Sequence, residues 1–213
     1  MNAEFVSVDG LLLKSTVPIW RMDVPPEVAA LSWKDFFGNT NPIEVEIGCG
    51  KGKFLTACAA QRPDRNFIGI DIAGKWMKVG ALRSVKRKLE NLRFVKENIH
   101  VFILRIPPAS VSIFHIYFPD PWPKRRHRRR RVISAEFLQL LLARLTPEGL
   151  IEIATDDPDY FSAIKEAAWN LRPSGSGISE SISRRLLRPD CKTNYELKFE
   201  AMNKPLYYLE MAK

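Results

Sequence analysis

Asp120 stands between two prolines in Phe118-Pro-Asp-Pro-Trp-Pro-Lys124, directly after the strongly apolar run Val111 to Phe118. Proline fixes its own φ and pushes the residue before it toward extended backbone. The segment is therefore a rigid mount for one carboxylate and one ring, that of Trp122. A carboxylate accepts hydrogen bonds from base N–H groups, and an indole stacks on a base for about 1–3 kcal/mol. The plainer reading is a proline-rich turn with a buried tryptophan. A cationic run, Lys124 to Arg131, follows at once. It holds seven lysines and arginines, and removing them leaves +2 of the chain's net +9. Charge concentrated in this way suits a phosphate backbone, with Lys124, Arg125, Arg126, Arg128 and Arg129 as candidate contacts. A solvated basic loop or a localisation tag is the alternative. His127 carries no weight as a general base.

A second constellation lies earlier. The run Ile43 to Ile47 ends in Glu46-Ile-Gly48-Cys-Gly50-Lys-Gly52. This G-x-G-x-G is neither the dinucleotide fingerprint nor the phosphate-binding P-loop. An acid precedes the first glycine by two residues, which favours a cationic ligand over a pyrophosphate. S-adenosylmethionine, with its sulfonium and ammonium groups, has that charge; a tight strand–helix connection needs no ligand at all. Asp71 ends the next apolar run, 25 residues after Glu46, near the offset of roughly 20 expected for a ribose-binding acid. It can equally cap a helix. Glu97-Asn98 follows a third run, and Asn98 can reach an adenine edge or serve as an ordinary loop residue.

Three strand ends and the Asp120 segment need a frame that brings carboxyl ends of strands to one edge. The sequence predicts one. Strands are expected at 43–47, 66–71, 92–96, 111–118 and 149–155. Helices are expected at 53–61, 74–90, 99–105, 134–144 and 157–171. A loop is expected at Pro173 to Gly177, and a closing hairpin of 195–201 with 206–211. Strands alternating with helices give an α/β fold with a mostly parallel sheet and an antiparallel edge. Residues 1–42 have no clear period and read as an irregular arm with one short helix near 26–37, leaving 43–213 as the main domain. Asp156, in Thr155-Asp-Asp157, and the segment Thr193, Asn194, Tyr195, Glu196 are further candidates; each can equally be a helix cap or a solvated turn.

Composition narrows the classes. Nearly half the residues are hydrophobic, at 46%, enough for a core. No apolar run nears the ~18 residues of a membrane helix, and the start lacks the basic region of a secretory signal. Three cysteines without a C-x-x-C pair argue against a disulfide framework or a zinc site, so no metal is expected and a cytoplasmic setting is.

Taken in order, Glu46-Ile-Gly-Cys-Gly-Lys-Gly52, Gly69-Ile-Asp71, Phe118-Pro-Asp-Pro-Trp-Pro-Lys124, Thr155-Asp156 and Thr193-Asn-Tyr-Glu196 resemble the bacterial tRNA (guanine-N7-)-methyltransferases of the TrmB family. The likeness runs from about residue 43 to 212. It implies a Rossmann-like class I methyltransferase fold with a seven-stranded sheet and helices on both faces. It implies N7-methylation of guanine 46 in the variable loop of tRNA. Glu46, Gly48, Gly50, Asp71, Asn98 and Asp120 would hold S-adenosylmethionine. Lys124, Arg125, Arg126, Arg128, Arg129, Asp156 and Thr193 to Glu196 would meet the tRNA, with Asp120 the catalytic carboxylate. Asp71 replaces the family's frequent Glu, and Asn98 an occasional Asp; both keep hydrogen-bonding capacity. The family contains monomers and homodimers. A methyltransferase for proteins or small molecules does not need the arginine run. A non-catalytic RNA binder does not need the intact Glu46, glycine, Asp71 and Asp120 set.

Overall fold

The computed structural model describes residues 2–6, 17–21, 31–171, 178–182 and 191–213. The chain divides into two compact units, 1–107 and 108–213.

In the first unit, β1 (Asn2–Val6) and β2 (Val17–Arg21) form an antiparallel pair. The arm expected to be irregular thus supplies two strands; its stretches 7–16 and 22–30 lie outside the described residues. Helix α1 (Trp33–Phe37) starts at Ser32, whose hydroxyl accepts from Asp35 N, and ends at Gly38. The alternation then runs β3 (Ile43–Ile47), α2 (Lys53–Gln61), β4 (Asn66–Asp71), α3 (Gly74–Lys86), β5 (Leu92–Lys96) and α4 (Ile99–Phe102), which tightens into a 3-10 turn, Ile103–Arg105. The strand order is β1-β2-β5-β4-β3, parallel from β2 onward. Every residue of β3 is buried, as a strand covered on both faces requires. Its Glu44 meets Arg62 and Arg65 at 3.4 and 3.2 Å. Ile47 pairs with Ile70, and Asp71 with Lys96. The carboxyl ends of the three central strands therefore finish at one level. Helix α3 is shorter than its expected run to residue 90, because Lys88 takes φ +54° and turns the chain.

In the second unit, β6 (Val111–Tyr117) leads to a 3-10 helix, Arg125–Arg130, then α5 (Ala135–Arg144) with Ser134 as N-cap, β7 (Leu145–Thr155) and α6 (Pro158–Asn170). Strand β8 (Ile178–Ile182), α7 (Asn194–Ala201) and β9 (Tyr207–Ala212) complete it. The order is β6-β7-β9-β8; β6 and β7 are parallel and the other pairs antiparallel. One expectation is corrected here: 195–201 is a helix, not the first arm of a hairpin. Thr193 and Glu196 close a capping box, which satisfies two backbone donors and nucleates a helix whatever the β-propensity downstream. Strand β8 takes the place beside β9 instead. With β1 and β2, the described strands number nine, against seven expected. The loop expected at 173–177 lies outside the described residues. One buried polar chain runs through this unit: His115 Nδ1 lies 2.7 Å from the Tyr117 hydroxyl, which donates to Glu152 at 2.5 Å.

Candidate active site

At the end of β3 the chain turns back through Gly48, Gly50 and Gly52, at φ +79°, +49° and +60°. The turn is stitched to β4. Gly48 N and Cys49 N both donate to Ile70 O, at 2.8 and 3.2 Å. Gly50 N donates to Asp71 Oδ2 at 2.9 Å, and Ala73 N to Asp71 Oδ1 at 2.7 Å. A carboxylate has about four acceptor sites, so two backbone bonds orient Asp71 and leave capacity for a ligand. A Cβ on Gly48 or Gly50 would meet nothing within 4 Å, whereas one on Gly52 would strike the Phe94 ring at 2.7 Å and lie 3.2 Å from Gly80 Cα. The first two glycines border open space; the third allows close packing.

The buried Cys49 thiol reports the field at this turn. Burial pushes its pKa well above the ordinary range, and the carboxylates of Glu46 and Asp71 push it further. Both acids therefore bear on the same few ångströms of backbone, and a negative field beside open glycines fits a sulfonium or ammonium ligand. Asn98 lies next to them in the chain of contacts. Glu97 N donates to Asp71 O at 3.1 Å. The Asn98 side-chain oxygen accepts from His100 N at 3.0 Å and caps α4. Its carbonyl is thereby committed to the helix, and its NH2 is the group available to an adenine edge.

In the second unit, Phe118 follows β6 at φ +52°, its N donating to Ala154 O at 2.7 Å. Asp120 is exposed. Trp122, at φ +44°, meets the edge of His127 at 5.8 Å, and the Arg130 guanidinium lies over its ring at 4.9 Å. The ring expected to stack on a base is thus already held by the basic segment. That segment is a 3-10 helix opened by Lys124, not a free loop. Two of its arginines point back into the protein. Arg131 Nε donates to Pro121 O at 2.7 Å, its guanidinium covers the Tyr160 ring at 4.5 Å, and its Nη2 meets Asp159 at 2.6 Å. Arg128 reaches the same carboxylate at 3.0 Å. The Arg131 hydrogen bond, helped by the nearby Arg128 charge, holds Asp159 below the usual carboxylate range. Tyr160 is fully buried and accepts from Ile133 N at 3.0 Å; burial pushes its pKa up to about 12. Arg125, Arg126 and Arg129 remain exposed.

Asp156 pairs with Lys204 at the end of β7. Asp157 caps α6 by accepting from Tyr160 N at 2.7 Å. Glu196 is buried; it accepts from Thr193 N at 2.7 Å and from the Tyr208 hydroxyl at 3.1 Å. Asn194 and Tyr195 are exposed beside this box. The Tyr195 ring lies 5.9 Å from both Phe118 and Phe199, and those two rings are 5.7 Å apart.

A family model described as a putative methyltransferase matches residues 40–209. The tRNA (guanine-N(7)-)-methyltransferase of Geobacter metallireducens is 35% identical, over 85% of this chain and 86% of its own. That of Lactobacillus delbrueckii subsp. bulgaricus is 32% identical, over 90% and 89%. The chain belongs to the tRNA (guanine-N(7)-)-methyltransferase family. Among solved structures, the 16S rRNA methyltransferase KamB superposes with a TM-score of 0.60 at 19% identity, covering 85% of this chain and 92% of its own. That likeness establishes the class I methyltransferase fold.

Within this family frame, the first unit joins Gly50, Asp71 and, through Glu97, Asn98. The second joins the Asp120 segment, the basic helix and the start of α6. Sequence reasoning missed Asp159, Tyr160 and the inward role of Arg128 and Arg131. No spacing rule links a run at 124–131 to the first turn of a helix some thirty residues later, so no sequence signal marked them.

Proposed function

We propose that the protein methylates N7 of guanine 46 in the variable loop of tRNA, with S-adenosylmethionine as donor. The observation that carries the reading is the Asp120 mount. An exposed carboxylate is set by Pro119 and Pro121, tied through the Pro121 carbonyl to Arg131, and followed by a helix presenting Arg125, Arg126 and Arg129 outward. A base-reading acid beside a phosphate grip is what an RNA-modifying site requires.

When bound, the donor supplies an electrophilic methyl on a cationic sulfur. Glu46 and Asp71 offset that charge, Gly48 and Gly50 leave room for it, and the Asn98 NH2 addresses the adenine edge. Guanine N7 carries a lone pair and attacks without losing a proton, so no general base is called for. The bound donor would supply the methyl and keep the electron pair on its sulfur, and the guanine would take on the positive charge. Asp120 accepts from guanine N–H groups and stabilises that arriving charge. Holding the base in line supplies the rest. Lys124, Arg125, Arg126, Arg128 and Arg129 face the phosphates, with Arg128 shared with Asp159. Asp156 and the 193–196 segment complete the tRNA surface; Asn194 and Tyr195 make the contact, and Thr193 and Glu196 shape the turn. In this reading 43–213 is the methyltransferase domain, 1–42 is an arm, and the protein works in the cytoplasm.

The test is methyl transfer from labelled S-adenosylmethionine to unmodified tRNA, followed by borohydride–aniline cleavage at 7-methylguanosine. Cleavage at position 46 is expected. Label at another atom would overturn the specificity, and an unlabelled RNA the function.

A further inference from the structure

We propose that the outer face of α3 is a second tRNA-binding surface, separate from the basic helix at 125–130. The inference rests on the tRNA reading and adds to it a contact made by the first unit. Between Asp71 and Glu90 the chain has six basic residues, Lys75, Lys78, Arg83, Lys86, Arg87 and Lys88, and no acidic one. The helix buries Met77, Gly80, Ala81 and Ser84. At 3.6 residues per turn these four share one side; Lys75 and Lys86 fall opposite it, and Trp76 and Lys78 on its two flanks, all exposed. Lys75, Lys78, Lys86 and Lys88 make no ion pair among the described residues.

A solvated cationic helix face alone would be unremarked. The indole changes that. Trp76 is 45% exposed, less than Trp169 at 60%, so its weight comes from its setting. The Lys51 ammonium lies over its ring at 4.9 Å and that of Lys75 at 5.5 Å. Lys51 comes from the glycine turn, and Arg83 Nη1 donates to its backbone carbonyl at 3.2 Å. Two elements thus frame one exposed ring with cations, at the edge of the turn that would hold the methyl donor. An aromatic platform between phosphate-seeking charges is the pattern that binds unpaired nucleotides without sequence preference. The charge favours a polyanion: six cations with no acid between Asp71 and Glu90 suit a phosphate backbone.

The experiment measures full-length protein binding to unmodified tRNA over a salt series, together with methyl transfer, for wild type, Lys75→Ala/Lys78→Ala, Trp76→Ala and Trp76→Phe. Log affinity falls with log salt by about 0.7–0.9 per neutralised phosphate, so the double lysine variant should flatten the slope by about 1.4–1.8. Trp76→Ala should weaken binding about five- to a hundredfold, with Trp76→Phe restoring most of it. KM for tRNA should rise more than kcat falls, and melting temperatures should stay at the wild-type value. An unchanged slope with unchanged affinity in both variants, while wild type still methylates tRNA, overturns the inference and leaves the proposed function standing. Wild type that transfers no methyl to tRNA overturns the function itself, a result independent of the variants.

Discussion

After β3 the chain enters the left-handed region at Gly48, Gly50 and Gly52; after β6 it does so at Phe118 and Trp122. Both turns end a buried parallel strand, and both present acids that the proposed reaction uses. They reach the same backbone geometry by opposite means. Glycine occupies it without a steric penalty. A bulky side chain there is strained by roughly 1–2 kcal/mol, and the strain persists only where surroundings over-determine it. Phe118 is held by the rings of Tyr195 and Phe199, and Trp122 by His127 and Arg130. The glycine turn is therefore set by local conformation, and the Asp120 turn by contacts made from α7, the basic helix and α6. Local changes should damage the first turn, and distant ones the second.

The largest effect should come from the acid that the second turn presents. Asp120→Ala should lower kcat for tRNA methylation by about 100- to 1000-fold, the range for losing one group that stabilises developing charge. It should leave the melting temperature unchanged, because Asp120 is exposed. Asp120→Asn, which keeps an acceptor without the charge, should fall between. Wild-type turnover in Asp120→Ala would remove the reason for the strained mount.

Next in size is a contrast within the glycine turn. Gly52→Ala combines a left-handed φ with a Cβ 2.7 Å from the Phe94 ring, and should destabilise by about 2–4 kcal/mol. Gly50→Ala has the φ but open space, and should lose only about 1–2 kcal/mol of stability. Thermal unfolding separates them, and equal melts would show that packing against β5 adds nothing to the turn.

This difference also explains what the sequence made legible. The first turn's Glu46 and glycines are adjacent in the chain, and Asp71 ends the next strand at a recognisable offset of 25 residues, so this part was readable, as were Ser134 as a cap and the alternation of β3 to β7. The Thr193–Glu196 pair was readable as a cap or a binding segment, and it forms the cap, so residues expected as a strand became α7. The hold on Asp120 was not readable. It depends on Arg131 meeting Pro121, Asp159 and Tyr160, a coincidence in space with no period. The arm's two strands were also invisible, because strand pairing depends on partners, and 1–42 has no alternation of its own to announce them.

A mid-sized effect tests that hold. Arg131→Lys keeps the charge but cannot bond Pro121 O and Asp159 together through a planar fork. It should lower kcat/KM about tenfold, mainly through kcat, since the Asp120 mount loosens while the outward arginines stay. The salt slope of tRNA binding should not change. A flattened slope would instead place Arg131 on the phosphates and dissolve the division of the basic helix into inward and outward arginines.

The smallest effect concerns Asp159, which is half exposed and so contributes little in its own right. Its pKa is held below the ordinary carboxylate value by Arg131 first. A depressed folded pKa means that the interaction stabilises the protein above the unfolded-state value, near 4, and is lost as pH falls through the folded one. Asp159→Asn removes the charge at every pH. The melting temperatures of wild type and Asp159→Asn should therefore differ by about 1–3 °C at pH 7, stay apart down to about pH 4, and converge below it. A gap that widened on acidification would mean that Asp159 is stabilised in its protonated form, and Arg131 would then owe its inward pose to Tyr160 and Pro121 alone.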